Sequence, residues 1–322
     1  MYLQIPSTIF LKKLAIPDSE VRDLYDPDGE LSKRVSRFIN NVLRGSKEVL
    51  TVVGGYGLGK THVLKYLTYV GRVLGLKVAF IPSPGRGPLD TYSRIVELLL
   101  NDVDVQSISN PALKHALTML KDGGVEPEET AYIKGWLLGY SIPSKVRYRL
   151  GLMGGIRERN LVDFLVDIAS SVVGKASGLI LAIDEVETIL NLPRAQRFSY
   201  SEWLRELIDS FPPKVGVALA MTPACWDEIT TLNPALFRRL AGGVLYLRPL
   251  RREHVRGFIS HHLGDLHKLL EDSVYDYVFE LSNGVHGEVL KYVSILLEEA
   301  VNGGAKSPIG LEEVRRTLAE YV

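Results

Sequence analysis

Residues 54–61 read Gly54-Gly55-Tyr56-Gly57-Leu58-Gly59-Lys60-Thr61 and satisfy G-x-x-x-x-G-K-[ST] at every fixed position. The aliphatic run Val49-Leu50-Thr51-Val52-Val53 precedes this segment. After it, Val63, Leu64, Leu67, Val70 and Leu74 repeat at helical spacing, with Gly75 as the stop. A buried strand that turns through glycines into a helix confines the chain to α/β architectures built on a parallel sheet. The glycines let backbone N–H groups turn inward around phosphate oxygens, with no Cβ in the way. The helix that opens at Lys60 adds the positive end of its dipole. Lys60 is placed for the β- and γ-phosphates of a nucleoside triphosphate, and the Thr61 hydroxyl for Mg²⁺. Residues Gly54 to His62 are therefore expected to bind ATP with Mg²⁺.

Further strands read as Lys77 to Ile81, Leu179-Ile180-Leu181-Ala182-Ile183, Val215 to Met221 and Val244-Leu245-Tyr246-Leu247. The two central runs are almost continuously apolar, as strands covered on both faces are. Helical stretches alternate with them, which gives a five-stranded parallel P-loop sheet with right-handed crossovers. About a hundred residues separate the second and third strands, far more than one crossover helix requires. Helical patterns at Tyr92–Asn101, Pro111–Lys121, Glu128–Tyr140 and Leu161–Val173 make this interval a helical insertion at one edge of the sheet. The expected division is an N-terminal arm and helix over 1–45, a P-loop core over 46–248 with its insertion at about 90–160, and a small all-α bundle over 249–322.

Nucleotide binding does not by itself imply hydrolysis. The third strand delivers Asp184 at its carboxyl end, where it can hold Mg²⁺ through water. Glu185 follows and is placed to take a proton from an attacking water. Glu187 has two readings, support of that water or a cap on the next helix, and the cap is preferred. Thr222 ends the fourth strand, so its hydroxyl reaches either the γ-phosphate and lytic water or the N-terminus of the next helix. Arg238 and Arg239, in Pro234-Ala235-Leu236-Phe237-Arg238-Arg239-Leu240, read either as an arginine finger for a neighbouring subunit or as a solvent-facing or salt-bridged pair.

With 38 basic and 38 acidic residues the formal net charge is zero, so no whole-molecule field draws the chain to nucleic acid. Any such contact needs a local patch. One candidate holds Lys145, Arg147, Arg149, Arg157 and Arg159 with Tyr140 and Tyr148 interleaved. It fits a phosphate backbone with stacked bases, or simply a solvated face. Arg248, Arg251, Arg252 and Arg256 form a second cluster. The single cysteine, Cys225, excludes an intramolecular disulfide and reads as a small buried hydrophobe. His254, His261 and His262 lack the partners of a metal site and read as surface residues. No apolar run approaches the roughly 20 residues of a membrane helix, and the N-terminus has no leader pattern, so a cytoplasmic protein is expected.

In these motifs and their order the chain resembles the AAA+ branch of P-loop ATPases over residues 47–82 and 175–322. Within that branch, the loop through Lys60-Thr61-His62, the Gly151–Arg157 stretch and Ile183-Asp184-Glu185-Val186-Glu187 look like the ATP-binding proteins of BREX-type phage-defence systems. Archaeal origin-recognition initiators are a more distant likeness. The resemblance implies ATP hydrolysis that remodels or moves along nucleic acid, assembly through the Arg238/Arg239 edge, and a nucleic-acid or DNA-processing partner. A slow nucleotide-gated switch or scaffold is the alternative. One departure bears on the choice: in Asn283–Lys291 the place where the family usually has a lid arginine holds Leu290, and Lys291 lies about 100° away around a helix.

Overall fold

A computed structural model of the chain describes residues 21–152, 154–156, 160–302 and 308–319. Helix α1 (Glu30–Leu43) leads into β1 (Glu48–Val53), and α2 (Lys60–Val73) into β2 (Lys77–Ile81). Five helices follow: α3 (Pro88–Leu99), α4 (Pro111–Asp122), α5 (Pro127–Leu137), α6 (Ser144–Arg149) and α7 (Leu161–Lys175). Then come β3 (Leu179–Ile183), α8 (Arg194–Ser210), β4 (Val215–Met221), α9 (Pro223–Leu232), α10 (Pro234–Ala241) and β5 (Val244–Tyr246). Past the sheet lie α11 (Val255–Leu263), α12 (Asp272–Ser282), α13 (His286–Asn302) and α14 (Leu311–Leu318).

The five strands form one sheet in the order β2-β3-β4-β1-β5, and every pairing is parallel. Register is enforced by burial on both faces, because a one-residue slip would exchange the two sets of side chains. Leu179, Leu181, Ile183, Val215, Val217 and Leu219 enter one core, with α7 and α8. Leu50, Val52, Ile180, Ala182, Ala218 and Ala220 enter the other, under α1 and α2. On that second face α1 packs so closely that a Cβ on Gly216 would lie 2.5 Å from the Phe38 ring. Any larger residue there would force α1 off the sheet.

The inserted helices stand at the β2 edge, and they do not close a core of their own. Tyr92, Leu113, Leu117, Ile133, Trp136 and Leu137 are buried in the same cluster as the strand residues of that face. The buried Tyr92 hydroxyl donates to the Leu137 carbonyl at 3.0 Å, which ties α3 to the end of α5. A polar group that deep would cost about 1–3 kcal/mol without such a partner. Helix α6, which the periodicity did not reveal, has no buried residue.

The lid has a separate cluster built from Val255, Phe258, Ile259, Val274, Val278, Val289, Val293 and Leu297. It meets the sheet domain at the segment before α1 and at the glycine loop, among other contacts of the described residues. Residues 21–29 cross the junction: the Tyr25 ring meets Phe258 edge-on and its hydroxyl donates to His254 O at 2.9 Å. The start of α13 meets the glycine loop, where Gly287 N donates to Gly57 O at 2.9 Å.

Candidate nucleotide site

Strands β1 and β4 end together, with Val53 aligned to Met221, and β3 ends beside them, with Ile183 aligned to Leu219. The residues just beyond these ends therefore converge. Gly54 N donates to Met221 O at 3.1 Å, which sets the glycine loop beside Thr222. Gly57 and Gly59 hold φ of +74° and +89°, values that β-carbons disfavour. A Cβ on Gly57 would also lie 2.9 Å from Val285 of the lid, so this position needs glycine for space as well as conformation.

Asp184 is buried and accepts hydrogen bonds from the Thr61 hydroxyl and from Glu185 N, the latter at 2.8 Å. Burial pushes its carboxyl above the usual range, against the pull of those bonds and of Lys60 and Lys65. Glu185 is exposed and has a left-handed backbone, φ +48°. For a residue other than glycine this conformation costs about 1–2 kcal/mol, and such strain gathers at functional sites. Though the residue is exposed as a whole, partial desolvation of its carboxyl, and then the neighbouring charges of Asp184 and Glu187, push that carboxyl upward. The acids outweigh the single lysine among them. Among the described residues no three His, Cys, Asp or Glu side chains converge to hold a metal on their own. A hydroxyl hydrogen-bonded to a carboxylate at the mouth of a phosphate loop is the donor set that suits Mg²⁺, which is usually completed by substrate phosphates and water.

The remaining residues proposed from the sequence fall out unevenly. Lys60 is 8% exposed and its ammonium donates to Gly55 O at 3.2 Å. It also sits 5.2 Å from the centroid of the exposed Tyr56 ring. Leu58 is buried against the loop beside Gly55. Thr222 caps α9, accepting from Cys225 N at 3.4 Å, while remaining next to Gly54. His62 turns away from the phosphate cradle: its Nε2 meets Asp23 O at 3.2 Å and its ring faces His262 of the lid. The lid histidines are thus junction residues and not simply surface ones, with His261 lying 3.6 Å from Asp23. Periodicity missed this because nothing local in sequence announces contacts over some two hundred positions.

Glu187 does not cap the turn that follows it; its carboxylate lies 3.7 Å from Lys60. Arg239 bonds Asp209 of its own chain through both Nε and Nη2, each at 2.9 Å. Arg238 is exposed. Lys291 pairs with Glu288 at 3.1 Å on the lid surface, while Leu290 packs into the lid core. Arg251, Arg252 and Arg256 are spent on Asp28, Asp276, Glu280 and Asp272. Arg157 and Arg159 lie outside the described residues. Cys225 is buried, as expected, and burial, then Glu187 and Glu228, raise its thiol to about 12. No helix is long and apolar enough to cross a membrane among the described residues.

Solved structures share this architecture. The chain is similar to the ORC2 protein of Aeropyrum pernix in its ADPNP–ADP complexes, with TM-score 0.58 and 16% identity over 92% of this chain and 68% of that one. It is similar to Cdc6p of Pyrobaculum aerophilum, with TM-score 0.58 and 13% identity over 95% and 71%. The A. pernix ORC1 protein in complex with DNA gives TM-score 0.51 and 17% identity over 94% and 67%. At such identities the likeness establishes the AAA+-like fold. Comparison with curated protein sequences gives no match. The profile of the family described as "BREX system ATP-binding protein BrxC/D" matches residues 90–250, from the inserted helices through β3 and the arginine helix to the edge of the lid. That span is half of the sequence, and with the phosphate loop in place beside it the chain belongs to the BrxC/D family of BREX system ATP-binding proteins.

Proposed function

We propose that the chain hydrolyses Mg²⁺-ATP and that the energy serves to remodel, or to move on, nucleic acid or a nucleoprotein complex in the cytoplasm. The observation that carries hydrolysis is the meeting of Lys60, Thr61, Asp184 and Glu185 at the aligned ends of β1 and β3. Loop N–H groups and Lys60 would hold the phosphates. Thr61 and Asp184 would hold the magnesium ion, which when bound offsets charge on the β- and γ-oxygens. Glu185 takes a proton from water as the water oxygen attacks the γ-phosphorus and the bond to the β,γ-bridging oxygen breaks. Glu185→Gln removes the proton acceptor and should lower turnover by at least about a hundredfold while ATP still binds. Turnover measured with and without DNA tests this, and a wild-type chain that turns over no ATP under either condition would overturn it.

Nucleic-acid contact is supported by α6, where Tyr148 is 89% exposed beside Lys145 and Arg147. One similar structure is of a protein in complex with DNA. Arg149 contributes less, since it pairs with Glu129 at 3.0 Å.

A second reading, a slow nucleotide-gated switch that orders a protein-binding surface, has its own support. Arg239 is bonded through two nitrogens to Asp209 of its own chain, so one group that would quicken hydrolysis in a neighbouring site is held elsewhere. An arginine finger in trans then falls to Arg238. Mass measured with and without ATP tests that role: a chain that stays monomeric with nucleotide bound removes it.

A further inference from the structure

Lys60 and Glu187 form a buried ion pair that the phosphate-loop motif does not anticipate. Glu187 stands in the 3₁₀ turn Val186–Asn191, directly after the acidic strand end. Its Oε1 is 3.7 Å from Lys60 Nζ, and the two side chains are 9% and 8% exposed. Its second oxygen, Oε2, is buried with no hydrogen-bond partner among the described residues. Thr188 beside it approaches Ser83 at 3.4 Å between hydroxyls, and the charge of Glu187 reaches Cys225 at the head of α9. The turn thus sets the carboxylate beside Lys60, near the loop after β2 and the start of α9.

Buried charges are costly to keep, and a carboxylate with one unbonded oxygen is costlier still. Such an arrangement does not serve stability well. It does place a second anion on the same ammonium that must grip the nucleotide. Resting on the reading of this loop as an ATP site, we propose that Glu187 is a positioning residue that competes with the β- and γ-phosphates for Lys60 and so sets how tightly the site holds nucleotide. At this separation and depth the attraction between the two charges is strong, and solvent screens little of it. Only part of that appears as competition, because an ammonium has three N–H bonds to share. ADP, which lacks the γ-phosphate, loses proportionately more from the contest, so the carboxylate favours product release.

The sign separates this role from a structural one. Removing a merely structural buried partner loosens a site, whereas removing a competitor tightens it. Glu187→Gln in the full-length chain is expected to tighten ADP binding by about tenfold or more and to slow ADP release by a similar factor. Equilibrium binding of Mg²⁺-ADP and stopped-flow release of a fluorescent ADP analogue read both. Glu187→Asp keeps the charge but withdraws it by one methylene, and should tighten binding by a smaller factor, about two- to fivefold. It carries the test if the Gln variant does not fold. Unchanged or weaker ADP binding in a folded variant would overturn the competition. A wild-type chain that binds neither ADP nor ATP would instead overturn the assignment of the loop itself.

Discussion

The sheet end and the lid hold their charges in opposite ways. At the sheet end, Lys60, Asp184 and Glu187 are buried, and Glu187 keeps an unbonded oxygen. In the lid, Arg252 reaches Asp276 and Glu280, Arg256 reaches Asp272 and Lys268 reaches Asp265, all on open surface. Exposed pairs of the second kind contribute little, since water and salt already satisfy both ions. Buried charges of the first kind persist only where something outweighs their desolvation. The contrast shows where chemistry resides: the sheet end gives up stability to keep ions dry, and the lid does not. Between the two regions lies the junction of Gly57, Val285, Gly287, His62 and His286.

The sharpest way to break this contrast is at its centre. Lys60→Ala removes the loop's only side-chain cation and should weaken ATP binding by about a hundred- to a thousandfold. Calorimetric titration with Mg²⁺-ATP checks it. A loss below threefold would mean that the buried charges serve something other than phosphate.

How much of this was legible beforehand follows from the range of the interactions. The strands were readable because burial on both faces leaves continuous aliphatic runs such as Leu179–Ile183 and Val215–Met221, and the observed elements begin and end there. The loop was readable because it is contiguous, and Asp184 because it ends such a run. Helix α6 was not, since six residues with no buried side chain have no period to detect. The pairing of Glu187 with Lys60 joins positions that only the β1-β4-β3 order brings together. Its local spacing looked like a helix cap for that reason. Arg239 was readable as an arginine finger or a salt-bridged residue, but its partner Asp209 was not, because that pairing depends on how α8 lies against α10.

The junction should respond to pH. Burial, and then the charge of His62, hold His286 at about 4, below the ordinary 6.5. Burial also lowers His62, which meets Asp23, His261, His262 and Lys65. The folded chain keeps His286 neutral while the unfolded chain protonates near 6.5. The stability is therefore complete above pH 6.5 and is lost as pH falls from there toward 4. At pH 5 the loss from His286 is about 2 kcal/mol. Denaturant unfolding of the wild type and His286→Gln at pH 7.5 and pH 5 measures it. The variant should lose less on acidification than the wild type does. Equal losses in the two proteins would show that His286 is solvated, and the junction would then resemble the lid surface and not the sheet end.

The smallest effect is expected on the lid itself, at Lys291. Its ammonium reaches Glu288 three residues back on the same helix and lies 5.4 Å from the Tyr292 ring centroid. A pair of this kind, about half exposed, contributes well under 1 kcal/mol. Lys291→Ala should leave ATP affinity and turnover within about twofold of the wild type, because a change of that size is a few tenths of a kcal/mol. Its thermal midpoint should move by no more than a degree or two. The same variant asks whether the lid reaches the nucleotide through this lysine in place of the arginine that Leu290 displaces. A tenfold fall in turnover at unchanged ATP affinity would place Lys291 in the transition state. The lid would then hold one ion that belongs, in kind, with those at the sheet end.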